Sequence, residues 1–169
     1  DLCVHVSTIA RKCTWSYTPK TICYTPQFAQ LLGMFVGDGS CGNYNAKSGK
    51  KSSWAINNAN KEMLKEYKTI VQNIFPSFEW KILPTLKSSG VYKLVPSSSK
   101  YGNIARFVGF WRKICYNDKR EKKIHDCVLQ SSEKHRQYFW KGLHDADGTK
   151  KGSPEISQKG TQISLSIVM

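Results

Sequence analysis

Apolar side chains along this chain fall alternately into helical and strand periods. Phe28, Leu31, Leu32, Phe35 and Val36 recur at helical spacing, the mark of a helix that buries a stripe. Thr25 as N-cap and Pro26 in the first turn start it, and Gly39 stands where a left-handed residue would end it, which predicts a helix over 26–38. Gly, Lys and Ser residues then form a hairpin-like stretch at 42–52, between Tyr44 and the strand-like run Ser53-Trp54-Ala55-Ile56-Asn57. Met63, Leu64, Tyr67, Ile70, Val71 and Ile74 return to helical spacing until Pro76 stops them. Phe78–Leu83 and Gly90–Val95 alternate around Lys87-Ser88-Ser89-Gly90, a second hairpin.

A third helix is expected from Tyr101 to Cys115 on Ile104, Phe107, Val108 and Trp111, followed by a basic connector, Asn117–Lys123. A fourth runs from Ser132, capped within Ser131-Ser132-Glu133-Lys134, to Asp147 and Gly148. The order is helix, two strands, helix, two strands, helix, and then a helix that restarts the first. That is an α/β (α+β) arrangement: one αββαββα repeat plus the start of a second. Residues 1–25 read as irregular or short-strand structure, 26–131 as the first repeat, and 132–169 as a second motif helix with a partial second repeat. Within the last, Glu155-Ile156-Ser157 and Gln162-Ile163-Ser164-Leu165 are candidate strands.

The first and fourth helices carry one pattern twice: Leu31-Leu32-Gly33-Met34-Phe35-Val36-Gly37-Asp38-Gly39 and Trp140-Lys141-Gly142-Leu143-His144-Asp145-Ala146-Asp147-Gly148. Small residues four apart, Gly33 with Gly37 and Gly142 with Ala146, leave a bare strip on which two backbones can approach closely. Each helix ends in an acid, Asp38 or Asp147, at the negative end of its own dipole, where a carboxylate costs about 0.3–1 kcal/mol. Two such carboxylates side by side repel further unless a cation lies between them. Mg²⁺, or Mn²⁺ in its place, takes oxygen ligands and carries waters able to attack phosphorus. Asp38 and Asp147 are therefore the candidate catalytic and metal-holding pair, with Gly37 and Ala146 beside them.

Charge sharpens the picture: 26 Lys and Arg against 12 Asp and Glu give a formal net charge of +14, spread along the chain. A polyanion is the natural partner, and eight Tyr, seven Phe and five Trp argue against a disordered basic tail. There is no apolar run of about 18 residues to span a membrane, and Asp1-Leu2-Cys3-Val4-His5 does not read as a signal peptide. A soluble, intracellular protein acting wherever its host DNA lies is expected, with no membrane partner. Cys3, Cys13, Cys23, Cys41, Cys115 and Cys127 show no C-x-x-C pair, so they read as thiols rather than structural zinc ligands.

The two nonapeptides resemble the paired motifs of the LAGLIDADG homing endonucleases, with Asp145-Ala146-Asp147-Gly148 close to the family's namesake. Motif one departs at Val36 and Gly37 but keeps the later acid, Asp38. Ser53-Trp54-Ala55-Ile56-Asn57-Asn58-Ala59-Asn60 and Leu86-Lys87-Ser88-Ser89-Gly90-Val91-Tyr92-Lys93-Leu94-Val95-Pro96 resemble the endonuclease region of inteins in B-family DNA polymerases of large DNA viruses. The resemblance covers residues 26–165 and makes 1–25 a link from the intein. It implies a metal-dependent enzyme that cuts double-stranded DNA at a long site, with a four-stranded sheet lying in the major groove. Lys122-Lys123-Ile124-His125 resembles the family's Lys-x-Ile-Pro segment, His125 replacing proline; the resemblance makes Lys122 or Lys123 a catalytic candidate, with Lys93 behind them.

Strand residues Trp54, Asn57, Asn58, Lys81, Lys87, Ser88, Tyr92 and Lys93 are the candidate DNA contacts, since Asn suits base edges and Lys suits phosphates. Three other readings compete: a non-cleaving DNA-binding protein on the same scaffold, which would lack a helix-end acid; an RNA maturase, which would prefer intron RNA; and a basic RNA-binding module, which leaves the paired acids unexplained. After Gly148 come 21 residues, fewer than a second repeat needs. The missing half is expected from the remaining repeat, a partner chain or a second copy. Self-splicing is not expected, because Asp1 is neither Cys nor Ser and Ile167-Val168-Met169 lacks a His-Asn ending.

Overall fold

The computed structural model describes residues 3–5, 21–86, 89–99, 102–148 and 156. Two short strands, β1 (Cys3–His5) and β2 (Thr21–Cys23), pair antiparallel ahead of the first helix. Thr25 is extended at φ −92° and ψ 163°, and its hydroxyl accepts the N–H of Phe28, which starts α1 (Pro26–Asp38) as the sequence predicts. Every residue from Phe28 to Val36 is buried, because α1 has neighbours on both flanks.

Gly39 ends α1 but is extended (φ −80°, ψ 153°) rather than left-handed. Space explains the glycine: a Cβ there would lie 2.2 Å from the Phe35 ring, which folds back over the helix end. From Gly39 the chain forms a long hairpin of β3 (Gly39–Ala46) and β4 (Gly49–Asn58), turning at Gly49 with φ 101°. Asn60 caps α2 (Lys61–Ile74) by accepting the N–H of Met63. Strands β5 (Glu79–Pro84) and β6 (Tyr92–Ser97) follow, starting one and two residues later than the alternation suggests. They complete one antiparallel sheet in the order β3-β4-β6-β5.

Helix α3 (Asn103–Cys115) leads into the connector, pinned by a bridge between Tyr116 and Lys122. An unforeseen turn of helix, α4 (Asp126–Leu129), precedes α5 (Glu133–Asp147). Ser132 sits at the N-cap of α5 as expected, yet its hydroxyl bonds the His135 ring 2.7 Å away instead of a backbone N–H. Beyond Gly148, which bridges to Ile156, both candidate strands lie outside the described residues apart from Ile156 itself.

One face of the sheet carries the core. Trp54, Ile56, Trp80 and Leu94 are buried on it. Phe35 of α1 stacks on Trp54 with ring centroids 5.3 Å apart and meets Trp111 of α3 at 4.4 Å. Aromatic pairs of this kind contribute about 0.5–1.5 kcal/mol beyond their buried area. They lock α1 and α3 against the sheet, and on its opposite face Ala55, Asn57, Lys93 and Val95 are half-buried and Lys81 and Leu83 exposed. No helix among the described residues is long and apolar enough to cross a membrane.

Candidate active site and nucleic-acid face

Two helix ends meet because two backbones touch. A Cβ added to Gly33 would lie 2.0 Å from the Phe139 carbonyl oxygen, and one at Gly142 only 1.9 Å from that of Gln30. At Gly37 a Cβ would meet Ala146 Cβ at 2.4 Å and Asp147 Oδ2 at 2.8 Å. The small strips expected on both motif helices thus face each other along the α1–α5 seam. Asp38 and Asp147 end the two helices at the same end of that seam.

Between the two candidate lysines, Lys122 reaches this place. Its ammonium donates to the carbonyl oxygens of Val36 and Gly37, 2.8 Å each, and so covers the negative end of α1. Burial lowers its pKa from the ordinary lysine value, while the Asp147 and Asp38 carboxylates oppose that shift. Lys123 donates its backbone N–H to Cys115, and its charge bears on Cys115 and His125. Asn58 is a member of the site that the sequence placed elsewhere: its side-chain amide donates to Asp38 Oδ2. Carboxylates are hard oxygen donors, and no group of three or more His, Cys, Asp or Glu placed to hold a metal ion occurs among the described residues. Such a set fits a divalent cation that needs only one or two carboxylates and keeps its waters.

Strand register sorts the remaining candidates. Trp54 was expected to contact DNA, but it is 2% exposed in the aromatic core. Asn58 is in phase with buried Ile56 and turns to Asp38, and Tyr92, paired with Asn58, lies on the helix side under the Lys61 ammonium at 5.2 Å. All three therefore leave the outward face, because successive side chains point to opposite sides of a sheet. Asn57, Lys81 and Lys93 remain there: Asn57 pairs with Lys93, and Lys81 pairs with Val95 two residues further along β6. Lys51, Tyr44 and Leu83 share this face by the same register. Lys87 and Ser88 lie outside the described residues.

No family model matches the chain. A DNA polymerase of Acanthamoeba polyphaga mimivirus is 40% identical over 125 residues, which are 74% of this chain and 7% of the polymerase. Among solved structures, the chain is similar to the homing endonuclease I-DmoI. With a variant of I-DmoI bound to its target DNA in the presence of magnesium, the TM-score is 0.56 at 15% identity over 85% of this chain and 74% of that one. The fold is that of a LAGLIDADG homing endonuclease. I-DmoI in complex with DNA and calcium gives 0.50 at 17% identity, over 75% of this chain and 60% of that one.

Proposed function

We propose that this chain is a site-specific double-stranded DNA homing endonuclease, carried in an intein of a viral DNA polymerase. The observation that carries the reading is that the two helices ending in Asp38 and Asp147 close against each other through Gly33, Gly142, Gly37 and Ala146, with Lys122 bonded at the end of α1. The polymerase likeness over a small part of that protein supports the intein setting, and the fold shared with I-DmoI supports the chemistry.

Asp38 and Asp147 hold Mg²⁺ or Mn²⁺ in this reading, with Gly37 and Ala146 keeping the space between them narrow. Bound there, the ion supplies an acidified water and neutralises charge on the scissile phosphate. Asn58 fixes the orientation of the Asp38 carboxylate. Lys122 places a cation near the developing charge, and its burial makes that charge stronger than a surface lysine's. Lys81 and Lys93 bind phosphates, and Asn57 reaches a base edge. Trp140, at the position of fully buried Leu31 in motif one, is 38% exposed; this supports a further layer over α5 from the rest of the second repeat, a partner chain or a second copy.

Incubation with the intein-less allele of the host gene tests the reading. Wild type should cut it in a divalent-metal-dependent manner, and Asp38→Asn and Asp147→Asn should each abolish cutting. Undiminished cutting by either variant overturns the assignment.

A further inference from the structure

Asp145 is the earlier acid of motif two, and the structure gives it work that motif one does not share. Its Oδ2 accepts the Tyr67 hydroxyl at 2.7 Å and the Lys141 ammonium at 2.8 Å. Behind Tyr67, the side-chain amide of Gln30 donates to the same hydroxyl at 3.4 Å. Tyr67 is fully buried and Gln30 is 7% exposed, so the Tyr67 hydroxyl depends on protein partners for its hydrogen bonds. Burial, and then Asp145, push the Tyr67 hydroxyl well above the ordinary tyrosine range, which keeps it protonated and a donor. The chain of contacts joins α1, α2 and α5.

At the matching place in motif one stands Val36, 2% exposed and packed in the core. The two motif helices are thus held by different means. Apolar packing seats α1 on its sheet, whereas α5 adds to its buried Phe139 and Leu143, and to the contact of His135 with Tyr24 near its start, a directional hydrogen bond from α2 at its end. Glycine contacts alone leave a helix able to slide along its partner; a buried donor aimed at one carboxylate oxygen fixes where it stops. Asp147 follows Asp145 by two residues in the same last turn.

We infer that Tyr67 and Asp145 form a positioning pair that sets the register of α5 along α1, and thereby the placement of Asp147 beside Asp38. The inference rests on the nuclease reading for its consequence in catalysis, and on geometry alone for its consequence in the helix. Tyr67→Phe keeps the ring and removes the hydroxyl. It should leave the melting temperature within a few degrees of wild type and duplex affinity unchanged. Single-turnover cleavage at saturating DNA should fall about 10²-fold, the cost of misplacing a reacting group by about 1 Å. Hydrogen exchange of the amides from Asp145 to Gly148 should quicken about tenfold while α1 stays protected. Lys141→Met, at an exposed site that folding does not depend on, should move both readouts the same way by less. The double variant Tyr67→Phe with Asp145→Leu should recover part of the exchange protection, since it removes the carboxylate that Tyr67→Phe strands and leaves only the Gln30 amide without its acceptor.

Wild-type exchange and cleavage in Tyr67→Phe would overturn the inference. So would exchange that quickens uniformly through α1, α3 and α5, since that marks a general loss of stability. A wild type that cuts no DNA would defeat the nuclease reading, and local exchange in Tyr67→Phe and Lys141→Met would then decide the positioning pair by itself.

Discussion

His125 shows how one side chain can cap a helix and acquire a pH dependence. Its ring Nδ1 accepts the N–H of Cys127 at 3.1 Å and so caps α4. Burial, and then the charge of Lys123, hold its pKa below the ordinary 6.5, with Asp126 opposing. A base whose pKa is depressed in the fold contributes stability that is present above its unfolded value and lost as pH falls through the folded one. Melting temperature should therefore drop between pH 8 and pH 5 more steeply in wild type than in His125→Asn, which keeps an acceptor at the cap without a titrating ring. Equal slopes would show that the cap carries no such dependence. The cap was not visible in the sequence, because a four-residue helix leaves too short a period to read.

Elements that bury a long apolar stripe were legible in advance, and α1 is the clearest, with Thr25, Pro26 and the run to Val36 marking both ends. The α1–α5 seam was legible too, because small residues at matched positions in two helices have one geometric use. The phase of β4 was misjudged for a physical reason. Trp54 and Ile56 are the large apolar residues of that strand, and a period of two then sends Asn58 inward with them and Asn57 outward, so the two asparagines lie on opposite faces although both amides reach Asp38, Asn58 at the carboxylate and Asn57 at the main-chain oxygen. Tyr67 with Asp145 escaped notice because a contact between residues 78 apart in sequence leaves no local pattern. The seam makes a direct prediction. Gly33→Ala or Gly142→Ala drives a methyl into a main-chain carbonyl and should destabilise the fold by about 1–3 kcal/mol. Gly109→Ala, exposed in α3 with nothing within 4 Å of the added carbon, should instead stabilise by about 0.5–1 kcal/mol. Chemical denaturation of the three variants measures both signs, and a Gly33→Ala protein as stable as wild type would mean that the helices do not touch there.

Across the whole molecule, the +14 charge and the outward lysines of the sheet would, in the proposed nuclease, make binding to duplex DNA an ion-exchange process. If about six to ten phosphates are contacted, affinity should fall roughly 10³–10⁵-fold between about 50 and 200 mM salt. With one sheet contributing, the lower end is expected, and fluorescence anisotropy across a salt series measures the slope. A flat response would remove the phosphate backbone as the main partner. Fold class and the paired acids were readable at this scale from repetition alone, whereas the facing of individual strand residues required the register.

The seam between α1 and α5 also sets a clock on synthesis. Helix α1 is complete by residue 38, yet the flank formed by Gln30, Gly33, Met34 and Gly37 waits for a helix that begins at residue 133. At about 5–20 residues per second, a ribosome leaves that flank uncovered for about 5 to 20 s. During that interval a bare glycine strip bordered by buried-type side chains faces the crowded interior of the cell. A nascent chain of this kind depends on whatever shields it until its own later helix emerges.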